Sequence, residues 1–203
     1  MELKTACHWF FIVGFILMSS FVYSQDEIID ALSEAKSAYL NKEYMEAASK
    51  LNTALKRIND LVIVELKSFL PEPFGGWDAH KPEGGASGLA LLSELSVKRR
   101  YYKRGTGKSI DVEIVSNAAK IPAIRMWFTN PLTLNSQQGM QISEVNDHRC
   151  IEKYEKLDRY AELNFIVGSS LLLVIRGFET KNTDDVRQFA ERIDLDKLEN
   201  RFP

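Results

Sequence analysis

The sequence predicts an α+β protein: an N-terminal antiparallel helical hairpin, then a mainly antiparallel sheet of about six strands packed by two helices. Three observations predict this. Apolar residues recur at helical spacing before residue 70, they alternate or run at strand spacing after residue 89, and a proline- and glycine-rich stretch separates the two regions. The organisation that follows is a signal peptide over 1–24, a helical hairpin over 25–70, a linker over 71–88 and a sheet domain over 89–203.

The strongest pattern lies near the C-terminus. Tyr160 to Gly168 reads as a strand, Gly168 to Ser170 as a tight turn, and Leu171 to Gly177 as a strand whose unbroken apolar run suits burial on both faces. Asn182 or Thr183 can cap a following helix that carries Asp184 and Asp185 in its first turn. Val186, Phe189, Ala190, Ile193 and Leu198 lie on one face of that helix.

At the N-terminus, Lys4 precedes an apolar run from Trp9 to Met18, followed by Ser19, Ser20 and Val22 to Ser24. This is the pattern of a secretory signal cut before Gln25. The run is shorter than the roughly 20 residues a spanning helix needs, and serines interrupt it. The mature chain is expected to be exported, periplasmic or secreted, and not integral to the membrane. Cys7 leaves with the signal, so Cys150 stands alone, either as a buried small hydrophobe, the expected state, or as a free thiol.

Ile28, Leu32, Ala35 and Tyr39 mark one helical face, Asn41 and Lys42 break it, and Tyr44, Ala48, Leu51, Leu55, Ile58, Val62 and Phe69 mark a second helix that lasts until Pro71. So short a connection predicts an antiparallel pair. Ala38 to Ala47, with Leu51, Ala54 and Leu55 after them, resemble one tetratricopeptide repeat unit. Lys42 stands where that family has glycine, and no further copy follows at about 34-residue spacing. A lone unit makes no concave solenoid surface, so the pair either packs on its own domain or docks a partner or another copy.

Pro71 to Gly88 holds three prolines and five glycines, with Phe74 and Trp77 as aromatic anchors. Leu70 to Trp77 is similar to a segment that precedes the β-rich part of various exported bacterial proteins. Strands are then expected from Leu89 to Tyr102 and over Ile110 to Ile114, joined by a turn at Arg104 to Lys108. Asn117 can cap a helix from Ala118 to Phe128, Leu132 to Gly139 reads as loop, and Met140 to Val145 and Arg149 to Glu155 read as strands around Asn146, Asp147 and His148. This element order is similar to the Mog1/PsbP-like sandwich, which implies a curved antiparallel sheet packed by helices.

Chemistry-bearing motifs are weak. Gly105 to Ser109 ends like a phosphate-binding loop, but Tyr102 occupies the first glycine position and a strand follows where the motif needs a helix. His80 and His148 are the histidines left after residue 24, too few for a closed zinc site, and no cofactor is expected. Asp147 and His148 beside Ser143 or Cys150 do not make a triad, because neighbours along alternating strands diverge. Glu144, Glu152, Glu155 and Glu162 occupy outward strand positions where solvation is the simplest expectation. The net charge of −2 excludes a global bias toward nucleic acid. The one local bias is Lys98, Arg99, Arg100, Lys103, Arg104 and Lys108 around Tyr101 and Tyr102, a candidate patch for an anionic ligand or partner, or else a charged hairpin at a sheet edge.

The expected function is therefore non-catalytic binding of a protein partner or cell-envelope component by a monomer or homodimer. A small-ligand or lipid carrier, with Trp127, Phe128 and Phe165 lining a cavity between sheet and helices, is the second expectation.

Overall fold

The computed structural model describes residues 27–88, 94–130, 134 and 139–203. The expected signal peptide lies outside the described residues, as does most of the loop expected over 132–139. Among the described residues there are five helices and one antiparallel sheet of eight strands. They run α1 (27–40), α2 (Tyr44–Lys67), β1 (Asp78–Ala79), β2 (Glu83–Ser87), β3 (Glu94–Tyr102), β4 (Ser109–Ser116), α3 (Ile121–Thr129), β5 (Met140–Val145), β6 (His148–Glu155), β7 (Tyr160–Val167), β8 (Leu171–Phe178), α4 (Asp184–Ala190) and α5 (Leu195–Arg201). The described residues divide into two compact units, one ending at Leu61 and the other running from Val62 to Pro203, with the boundary inside α2.

In the first unit, α1 and the front of α2 form the expected helical pair. Ala31, Ala35 and Ala38 of α1 and Ala47 and Ala54 of α2 are buried, and small residues let two helices approach closely. Ion pairs Lys50–Glu34 at 2.5 Å and Arg57–Glu27 at 3.0 Å join the helices along their flanks. The connection is a Schellman turn: the Glu43 N–H donates to the Ala38 carbonyl at 2.9 Å, the Lys42 N–H to Tyr39 at 3.0 Å, and Lys42 takes φ +65°.

In the second unit the sheet order is β1-β3-β4-β8-β7-β6-β5, with β2 also paired to β3. Leu171 to Ile175 of β8 are all buried, as the apolar run predicts. Odd-numbered members join a large core with Val97, Ile110, Phe165, Phe189 and Leu198, whereas Leu172 and Val174 join a smaller one with Ile121, Ile124 and Ile151 under α3. The α4 and α5 helices and the end of α2 cover the first face. Gly177 admits α4, since a Cβ there would sit 2.9 Å from Val186 and 2.8 Å from Thr180.

Three details differ from the sequence expectation. The strands number eight because the stretch expected as a linker contributes β1 and β2, which together pair with the outer edge of β3. Trp77 is buried and its ring meets Phe189 at 5.4 Å, so the aromatic anchor holds. The C-terminal helix is two, because Asp194 caps a new start by accepting the Lys197 N–H at 2.9 Å. Finally, α3 begins at Ile121 because Asn117 takes φ +52° in a turn, its N–H bonded to the Ser170 carbonyl at 2.7 Å.

A lysine in left-handed conformation costs on the order of 1 kcal/mol that glycine does not. Lys42→Gly is expected to stabilise the helical pair by about 0.5–1 kcal/mol, read from urea unfolding followed by helical circular dichroism. Destabilisation would show that the lysine side chain contributes more than its backbone strain costs.

Candidate functional site

The register of the sheet places charge in alternation along one row. Arg100 lies opposite Asp111, Asp111 opposite Arg176, Arg176 opposite Glu162, and Glu162 opposite Lys153, across five strands. Side chains in such a row share one face, the face whose other part α3 covers. Asp111 is 2% exposed and receives Arg100 through Nε at 2.6 Å and Nη2 at 2.8 Å, with Lys98 Nζ at 2.8 Å. Arg176 bridges Glu113 at 2.6 Å and Glu162 at 3.5 Å. Glu162 also accepts from Asn164 at 2.7 Å and from the Tyr160 hydroxyl.

Burial alone would raise the Asp111 pKa, but hydrogen bonds from Arg100 and Lys98, and their charge, hold it below the usual carboxylate range. The bond to Asp111, and its charge, in turn raise Arg100. Beside this row a concavity of about 330 Å³ opens, lined by His80, Lys81, Glu83, Lys98 and Arg100. The His80 N–H donates to the Arg100 carbonyl at 2.9 Å, and its ring lies 5.2 Å from that of Tyr102.

The basic cluster read from the sequence is thus divided. Lys98, Arg100 and Tyr102 are brought together beside the concavity. Arg99 points to the opposite face, where it donates to the Pro71 carbonyl at 3.0 Å, the His80 carbonyl at 3.1 Å and Glu72 at 3.1 Å. Lys103 sits over Trp77 at 5.7 Å, Arg104 pairs with Asp78 at 2.6 Å and Lys108 with Asp185 at 2.6 Å. The β3–β4 hairpin is internal to the sheet, since β1 and β2 flank it. Lys81 and Asp111 were missed. Counting outward from the turn at Arg104 to Lys108 pairs Arg100 with Asp111, a signal present in the sequence.

Trp127, Phe128 and Phe165 do not come together. Phe165 lies in the large core, whereas Trp127 and Phe128 pack half-buried against the smaller one on the other face. A second concavity of about 310 Å³, near the α4–α5 junction, is lined by Asn146, His148, Arg192 and Asp196 among others.

Two carboxylates expected to be solvated are not. Glu152 is buried and paired with Arg187, which also reaches the Ser143 hydroxyl and, at 3.2 Å, the Glu144 carbonyl. Glu162 is held in the ladder, Glu155 pairs with Lys153 at 2.5 Å, and Glu144 is exposed. Outward alternation failed for Glu152 because α4 lies over that position and supplies the arginine. Cys150 is buried, as expected, and burial with the nearby Glu152 charge pushes its thiol up to about 12. His148 turns to Asp196 at 3.2 Å. Among the described residues, no group of three or more His, Cys, Asp or Glu is placed to hold a metal ion, and no helix is long and apolar enough to cross a membrane.

Comparison with protein-family models, curated proteins and solved structures finds no match to this chain.

Folding lowers the Asp111 pKa, so its contribution is present above the unfolded value of about 3.9 and is lost as pH falls through the folded value. Asp111→Asn is expected to lower the unfolding free energy at neutral pH by about 1–3 kcal/mol. That is less than for a fully buried pair, because Lys98 and Arg100 stay half exposed. The gap between the two proteins should close as pH falls below about 4; a gap independent of pH would exclude charge as its origin. The Cys150 thiol is expected to resist a disulfide reagent at neutral pH while folded and to react once urea unfolds the chain.

Proposed function

We propose that this chain is a non-catalytic, exported binding protein that docks an amphipathic helical segment of a protein partner on its first unit. One observation carries the reading. The crossing of α1 and α2 buries alanines and leaves the large apolar residues outside, with Tyr44 60%, Leu51 52% and Ile58 40% exposed. These three recur every seven residues along α2, and Leu32 and Tyr39 repeat the spacing on α1. The rings of Tyr39 and Tyr44 meet at 5.9 Å, joining the two rows at the hairpin end.

A seven-residue apolar row is the pattern a packing helix reads, and exposed patches of this kind mark interaction sites. The ion pairs between α1 and α2 run along the flanks of the pair and leave the apolar rows uncovered. Export is supported by the sequence of the first 24 residues, with its short apolar run and small residues before Gln25.

A photo-crosslinking residue at position 51 is expected to give a discrete adduct in cells, and one at the exposed Leu157 to give none. Ile58→Glu should weaken that adduct about tenfold or more, because it brings an unpaired carboxylate into an apolar seam. An adduct with the chain itself would identify a second copy as the partner. No adduct, or equal yields at positions 51 and 157, would defeat the reading.

A further inference from the structure

The geometry points to an acidic-sugar site in the concavity beside β2 and β3, taking a uronate residue through Lys81, Lys98 and Arg100 with Glu83 and the Tyr102–His80 rings beside it. This inference rests on the second unit alone and is independent of the helical docking surface.

The cations are held in advance of any ligand. Asp111, itself buried, engages Arg100 through Nε and Nη2 and Lys98 through one Nζ bond. Arg100 keeps Nη1 and Lys98 keeps two ammonium protons uncommitted to that carboxylate. Cations fixed by a buried partner lose little further freedom when a ligand arrives, which favours binding over a flexible surface lysine. Lys81 adds a third charge and makes no ion pair among the described residues.

The balance of charge selects the class of ligand. Lys81, Lys98 and Arg100 set against Glu83 and Asp111 leave a formal charge of one positive among these five groups. That suits a monoanion better than a phosphate dianion. Glu83 accepts hydrogen bonds only, so it favours a ligand that presents hydroxyl groups and repels one that presents further anionic oxygens. The His80 ring lines the concavity and meets the Tyr102 ring at 5.2 Å and a 43° tilt, which gives a pyranose an aromatic edge to pack against. A volume of about 330 Å³ is at the small end of ligand sites, suited to one or two sugar residues.

The test is amide chemical-shift titration of the full chain with glucuronate, glucose and inorganic phosphate at low ionic strength. Glucuronate is expected to shift the resonances of β2 and β3 saturably, glucose not to, and phosphate to bind at least tenfold more weakly. Lys81→Gln should weaken glucuronate about tenfold, and Lys103→Gln, on the cation over Trp77, should leave it unchanged. Glu83→Gln should narrow the preference for glucuronate over phosphate. Absence of saturable glucuronate binding, equal losses in the Lys81 and Lys103 variants, or phosphate binding as tight as glucuronate would each overturn the assignment. Thermal unfolding of each variant separates a lost site from a lost fold. Binding of anionic vesicles that is stronger than glucuronate and abolished by Lys81→Gln would equally overturn it, in favour of a lipid surface.

Discussion

The burial of β8 on both faces is the constraint from which the rest of the second unit follows. Leu171 to Ile175 place five successive apolar side chains in the interior, alternately above and below the sheet. A strand of this kind cannot sit at an edge or leave one face to water, because each buried aliphatic side chain contributes roughly 1.5–3 kcal/mol only when it is covered. The flanking strands β4 and β7 and the helices on both faces answer that requirement. One face is closed by α4, α5 and the end of α2. The other is closed by α3 over only part of its extent, and where α3 stops the sheet turns polar.

That polar region explains the ionic row. The strands that bury β8 also carry side chains onto a face with no helix above it, and water alone would suffice for exposed ones. Asp111 is not exposed: it is shielded by the two cations that neutralise it. Removing a carboxylate from water costs several kcal/mol unless charge and hydrogen bonds compensate it. Arg100 and Lys98 do so while keeping their own heads half in solvent. The arrangement also favours the observed register, since a slip of one residue between β3 and β4 would put Arg100 and Asp111 on opposite faces of the sheet and bury one of the two charges unpaired. Glu152 with Arg187 repeats the device on the other face, where α4 brings the guanidinium to a strand carboxylate.

The fold class was legible in the sequence because its strongest signals are local. Periodicity marked both helices of the front pair, the alternation of β4 to β7 gave their limits within a few residues, and the run in β8 gave its depth. The strands β1 and β2 were illegible because Glu83 to Ser87 holds two glycines and no large apolar residue, and all five residues are exposed. They are strands by virtue of the partner they find in β3, a non-local cause. The site was half legible. The cationic cluster around Tyr102 was plain, but its division between faces depends on parity counted from the turn, and the role of Asp111 depends on burial that only the assembled sheet provides. Likewise Phe165 and Trp127 share a residue class, yet a sheet separates them.

The two units solve opposite problems of stability. The sheet unit hides its large apolar side chains and exposes ions, so its recognition chemistry must be polar and positioned. The helical pair does the reverse: it spends alanine at the crossing, which allows close approach of the helices but removes little apolar area from water, and leaves tyrosine and leucine outside. Two helices alone are marginal even with a good core, and here the turn between them adds a strained lysine. The free energy that would make such a pair firmly stable resides in side chains that it does not itself cover. Covering them is therefore coupled to stabilising the helices, so a partner on that row and the folded state of the pair should strengthen each other by the same amount.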